Sequence, residues 1–116
     1  MKTINTDTFP LRSINQSAMS EKVTKDHPGN MHLWWNRSPI DSSRKLLEAV
    51  LGATQGKDID ICDATVVDPF SGFGGLALAA AGLGLPVVAG DLNTVATVLT
   101  KAIVEIPSRF ADMPAV

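Results

Sequence analysis

The chain has 116 residues and a mass of 12.3 kDa, the size of one small domain at most. Hydrophobic residues make up 45% and charged residues 19%, a balance that excludes an intrinsically disordered chain. The net charge of −2 hides an asymmetry: residues 1–45 hold seven Lys and Arg against four Asp and Glu, whereas residues 46–116 hold three against eight. A basic face of the kind nucleic-acid binders carry can come only from the N-terminal third, so composition by itself does not establish DNA binding. The single cysteine, Cys62, excludes an internal disulfide and a multi-cysteine zinc site. The longest apolar stretch, Leu76 to Ala89, is broken by Gly82, Gly84 and Pro86 and falls short of a bilayer-spanning helix. The first thirty residues have no apolar h-region, which argues against a secretory signal. A cytoplasmic protein with no membrane partner is the expectation.

Residues 1–26 are polar and aperiodic and read as an extended N-terminal arm, tacked down by Phe9, Leu11 and Ile14; residues 27–116 read as one further unit. The segment from His27 to Asn36 is loop-like at Pro28-Gly29 and ends in the pair Trp34-Trp35. A helix start follows, with Ser38 as cap, Pro39 at the first helical position and Asp41 where a capping-box carboxylate belongs. Ile40, Leu46, Leu47, Val50 and Leu51 give that helix an apolar face, and Gly52 is the expected stop before an acidic loop through residue 63. Ala64–Asp68 reads as a β-branched strand, Pro69–Gly75 as a turn, and Leu76–Ala81 as a helix ending near Gly82 and Gly84. Pro86–Asp91 reads as a second strand and Thr94–Glu105 as a second helix, stopped by Pro107. This β-α-β-α order predicts an α/β fold, a doubly wound parallel sheet with helical crossovers. Open sheets usually hold about five or six strands, so two βα units with a leading helix read as an incomplete sheet that further strands, or a second chain, would complete.

The segment Asp68-Pro-Phe-Ser-Gly72-Phe-Gly74-Gly75, between strand and helix, is the strongest local signal. Its glycines permit a tight turn and let a ligand approach the helix N-terminus without Cβ obstruction. Asp91, twenty-three residues after Asp68, closes the second strand, where a carboxylate can hydrogen-bond the hydroxyls of a ribose. Gly72-x-Gly74-x-x-Ala77 formally satisfies the dinucleotide fingerprint. Asp68 argues against that ligand, because a carboxylate at the strand end repels a pyrophosphate. S-adenosylmethionine has no phosphate and carries an ammonium and a sulfonium, which an acidic strand end attracts.

Asp68-Pro-Phe-x-Gly72-x-Gly74 after a strand resembles motif I of the DNA amino-methyltransferases. The ordered set is similar to the start of large adenine-specific DNA methylases: His27-Pro28, Leu33-Trp-Trp-x-Arg37-x-Pro39, the helix, Asp68-Pro-Phe70, Gly90-Asp-Leu-Asn93 and Lys101-Ala-x-x-Glu-Ile-Pro107. Those proteins carry an N-terminal domain of unknown function and often a zinc ribbon further on. The resemblance covers roughly residues 27–110 and implies a Rossmann-like methyltransferase fold, S-adenosylmethionine as cofactor and DNA as partner. It implies that Asp68, Pro69, Phe70, Ser71, Gly72 and Gly74 form the loop at the methionine and sulfonium end, that Asp91 binds the ribose and that Leu92 packs near the adenine. The residues from Trp35 to Pro39 resemble the helix start that closes over the methionine end. Ser38 stands where a second basic residue is expected and Thr94 where a proline is expected, which leaves the subfamily open.

The family holds its flipped base against an Asp/Asn-Pro-Pro-Tyr/Phe loop. This chain has no tyrosine and seven prolines, none adjacent to another, so that motif is absent and no residue here is assigned a catalytic role. The expected function is that of the cofactor-binding portion of a DNA methyltransferase acting on a base amino group, adenine in first place, and inactive without the remainder. Two other classes stand beside it: a non-catalytic remnant or half of a split methyltransferase, and a dinucleotide-binding oxidoreductase fragment. Core packing is the ordinary role for Trp34 or Trp35. His27, His32 and Cys62 match no common metal spacing, and Arg37, Arg44 and Lys45 read as a solvated face.

Overall fold

The computed structural model describes residues 9–20, 39–54 and 64–111. Leu11–Ser20 form a helix, α1, where the sequence suggested an extended arm. Leu11, Ile14 and Ala18 recur at helical spacing, and Pro10 pre-sets the backbone for a helix start. The Pro10 carbonyl accepts the Ile14 N–H at 3.1 Å and the Ser13 hydroxyl at 2.9 Å. Ile14 is buried as expected of an anchor, whereas Leu11 is exposed.

Helix α2, Ile40–Thr54, begins at Pro39, whose carbonyl accepts the Ser43 N–H and the hydroxyls of Ser42 and Ser43. The helix runs through Gly52 instead of stopping there. A glycine inside a helix costs only about 1 kcal/mol, and packing of the preceding turns on neighbouring helices offsets it. Ser38, the expected cap, lies outside the described residues, as do Trp34, Trp35, Arg37, His27, His32 and Cys62. Lys45 donates to the Ser17 hydroxyl of α1, and Arg44 pairs with Glu48 one turn on; both residues are exposed.

Strand β1, Val66–Asp68, pairs in parallel with β2, Val87–Ala89, in the register Val66 to Val87, Val67 to Val88 and Asp68 to Ala89. Both are shorter than the β-branched runs suggested, although Val66 N–H to the Pro86 carbonyl (2.9 Å) and Gly90 N–H to the Asp68 carbonyl (2.8 Å) extend the ladder at each end. Helix α3, Gly75–Gly82, crosses between them. It ends as a Schellman turn: Leu85 N–H reaches the Ala80 carbonyl, Gly84 N–H reaches that of Ala81, and Gly84 has φ +75°.

Beyond β2, Thr94–Thr100 form α4, Lys101–Glu105 a π-helical turn and Ile106–Phe110 α5. Pro107 does not stop this helix. It follows the wide turn, in which Ile106 N–H bonds the Lys101 carbonyl five residues back, and that widening accommodates a ring with no N–H to donate. The order is therefore mixed α/β with one two-stranded parallel sheet among the described residues. Ala77, Ala79 and Ala80 of α3, Ala96 of α4, Ile103 and the loop residue Phe73 are its buried apolar centre. Val67 and Val88, paired side by side, are both exposed, so this sheet face has no covering helix among the described residues. No described helix is long and apolar enough to cross a membrane.

Candidate functional site

The carboxyl ends of β1 and β2 lie side by side, and the chain leaves both through polar turns. After β1, the Asp68 carboxylate accepts the Phe70 N–H through Oδ1 at 3.2 Å, closing the short turn that a residue two positions back can make. Ser71 N–H then bonds the Gly90 carbonyl at 2.9 Å, and Gly74 N–H bonds the Ser71 carbonyl at 2.7 Å. Gly72 and Gly74 have φ of +52° and +88°, the left-handed region that glycine enters without penalty. The loop thus reaches α3 with no side-chain cap at Gly74, leaving the first-turn amides of α3 without a side-chain acceptor.

After β2, Asp91 works on both loops. Its Oδ2 accepts the Gly72 N–H at 2.9 Å, nineteen residues back, and its Oδ1 accepts the Asn93 N–H at 2.8 Å. Asn93 in turn caps α4 by accepting the Val95 N–H at 3.0 Å. The amides of Asn93 and Gly72, in that order, pull the Asp91 carboxyl below the ordinary aspartate value of 3.8. A carboxyl lowered on folding stabilises fully above its unfolded value and loses that contribution as pH falls through the lower folded value. The stability gap between the wild type and Asp91→Ala should therefore narrow once pH drops below 3.8, read as urea midpoints at near-neutral and acid pH. A gap independent of pH would show that the ionised form does not hold the loop.

The residues proposed from sequence separate into two groups. Gly72 and Asp91 meet at the strand ends, with Asp68 closing the adjacent β1 and holding the Phe70 amide; Phe70 and Leu92 are 79% and 95% exposed. Ser71 and Gly74 face the other way, into the interior: both are buried, and the Thr100 hydroxyl of α4 lies 3.2 Å from Ser71 Oγ. Phe73 is likewise a core residue, and Pro69 is exposed on the turn. Thr100 carried no sequence signal, since its partners are 28 and 29 residues away. A cleft of about 880 Å³ opens beside β2, between Leu85–Ala89 and Thr97, Lys101, Val104 and Ser108. It shares Ser71 with the loop but is lined by none of Asp68, Gly72, Asp91 or Leu92, so it is a separate space.

Residues 8–58 match the family described as "Protein of unknown function (DUF1156)". The match takes in α1 and α2 and ends before β1, so the glycine loop and Asp91 lie outside it. No curated protein and no solved structure matches the chain. The N-terminal part of this chain is thus similar to a domain family of unknown function, followed by a strand-loop-helix unit with two acids at neighbouring strand ends.

Proposed function

We propose that this chain is the cofactor-holding part of an S-adenosylmethionine-dependent DNA methyltransferase, acting on the exocyclic amino group of a base, adenine in first place. The observation that carries the reading is the arrangement at the strand ends: Asp68 closes β1, and Asp91, just beyond the neighbouring β2, holds the amide of Gly72. Two carboxylates beside a backbone without Cβ suit a cationic ligand that also offers hydroxyls, and oppose a pyrophosphate. Each Asp91 oxygen has a second acceptor site beyond its amide partner, which leaves room for a ribose hydroxyl. The exposed Leu92 offers an apolar surface of the kind an adenine ring would cover, and the exposed Phe70 stands on the loop at the methionine end. The DUF1156 match at residues 8–58 agrees with the N-terminal domain of unknown function in the methylases this sequence resembles.

When bound, S-adenosylmethionine supplies a methyl group already activated by its sulfonium charge, so alignment with the amino nitrogen is the enzyme's main task. This chain's residues bind and orient; a Pro-Pro-aromatic base-holding loop is not among its 116 residues. That loop is assigned to further polypeptide, either more of the same domain or a second chain, which would also bring the DNA. The Rossmann-like sheet belongs to the same proposal. A right-handed crossover through α4 and α5 would return a third parallel strand beside β2, the side on which the cleft of about 880 Å³ opens. A cytoplasmic location goes with action on DNA.

Isothermal titration of the 116-residue chain with S-adenosylmethionine, S-adenosylhomocysteine and NAD tests the cofactor. Binding of the first two, with none of NAD, is expected. NAD binding without the methyl donor would replace this reading with a dinucleotide-dependent oxidoreductase fragment. Binding of none of the three would leave a non-catalytic remnant.

A further inference from the structure

We propose that Thr100 is a positioning residue for the strand-end loop, and that the second βα unit, through Asp91 and Thr100, clamps Gly72 from both sides. Gly72 donates its N–H to Asp91 Oδ2 at 2.9 Å, while its carbonyl oxygen lies 3.4 Å from the Thr100 hydroxyl. Asp91 precedes α4 and Thr100 ends it, so one short helix carries both jaws. The same hydroxyl is 3.2 Å from Ser71 Oγ, and the body of Thr100 packs against Gly74, where an added Cβ would come within 2.9 Å of Thr100 Oγ1. Three residues of the loop, Ser71, Gly72 and Gly74, therefore rest on one side chain.

A threonine inside a helix ordinarily satisfies its hydroxyl on the carbonyl one turn back. Thr97 does so, lying 3.4 Å from the Asn93 carbonyl. Thr100 is 8% exposed and turns its hydroxyl to the loop instead. The π-helical turn starts at the next residue, Lys101, and such turns interrupt the regular ladder where a helix must meet a local demand. Thr100 is buried and borders the cleft beside β2, which none of Asp68, Gly72, Asp91 or Leu92 lines; toward the strand ends it acts through Gly72 and Ser71. The loop conformation is thus held by the second βα unit as well as by the glycines of the first.

The consequence for ligand binding rests on the cofactor reading, whereas the consequence for the loop does not, and two measurements keep them apart. Amide hydrogen exchange is followed in the wild-type chain, Thr100→Val and Thr100→Ser, and each is titrated with S-adenosylmethionine. Thr100→Val keeps the shape and removes the hydroxyl. It should speed exchange at Ser71, Gly72 and Gly74 by at least about tenfold, with the β1, β2 and α3 amides unchanged. Thr100→Ser, which keeps the hydroxyl, should restore wild-type exchange, and affinity for the methyl donor should fall and recover in the same order. Where Thr100→Val gives no cooperative melt, Ser71→Ala removes the hydroxyl's partner and should open the same amides. Loop exchange unchanged in Thr100→Val, or raised equally over the whole chain, overturns the clamp. If the wild type ignores S-adenosylmethionine while the exchange pattern appears, the cofactor reading fails and the clamp stands.

Discussion

Gly74→Ala should destabilise the chain by about 2–5 kcal/mol and abolish binding at the strand ends, because two separate penalties fall on one methyl group. The first is backbone strain: Gly74 has φ +88°, and an L residue held in the left-handed region costs about 1–2 kcal/mol. The second is space. The new Cβ would lie 2.9 Å from Thr100 Oγ1, 3.1 Å from Thr100 Cγ2 and 3.1 Å from its backbone Cα. A side-chain atom can swing aside, but the Cα belongs to α4 and moves only with the helix, so about 1–3 kcal/mol of overpacking adds to the strain. Gly84→Ala is the control that divides the two. Gly84 has φ +75° but nothing within 4 Å of an added Cβ, so only the strain is expected, about 1–2 kcal/mol. Chemical denaturation of both variants reads the difference. Equal losses at the two positions would show that α4 does not press on the loop as the distances indicate. Melting at Gly74→Ala is expected to be accompanied by a disturbed Thr100, since loop and helix share that contact.

The parts of the fold that sequence reading reached are those where local chemistry and tertiary context agree. Between Val66 and Ala89, β-branched runs alternate with an Ala/Leu helix that ends at Gly82, and strand, helix and parallel pairing all form there. Punctuation by single residues was less informative. Gly52 lies inside α2 and Pro107 inside the last helix, because packing of the flanking turns outweighs one glycine and a π-helical turn accommodates one proline. Helix α1 was obscured for the opposite reason. Its apolar residues are sparse in a polar segment, and Ile14 is the buried one that docks it. At the site, the positions of Asp68 and Asp91 at strand ends followed from the pattern alone. That Asp91 also holds Gly72, and that Ser71 turns inward to Thr100, depend on groups 19 and 29 residues apart in the chain. No periodicity or spacing encodes such a pairing.

Asp91→Ala should lower affinity for S-adenosylmethionine by about tenfold or more, and its interest lies in how that loss divides between two duties of one carboxylate. The structure occupies one acceptor site on each oxygen with a backbone amide, that of Gly72 on Oδ2 and that of Asn93 on Oδ1. Removing the side chain therefore releases the loop and the cap of α4 together, whether or not a ribose ever binds. Asp91→Asn is no gentle substitute. Its side chain has one carbonyl oxygen, so an NH₂ group must face one of the two backbone N–H donors. A ligand change separates the duties where a protein change cannot. With a 2′-deoxyribose analogue of S-adenosylmethionine, the wild type loses the ribose bond but keeps its loop. If Asp91 holds the hydroxyl, the analogue should bind the wild type about tenfold more weakly than the parent compound, and Asp91→Ala should bind the two alike. If the two losses simply add, Asp91 touches no ribose and serves only to hold Gly72 and Asn93 in place. That outcome would move the ribose contact elsewhere while leaving the charge argument at Asp68 intact, because a carboxylate beside a Cβ-free loop still favours a cation over a pyrophosphate.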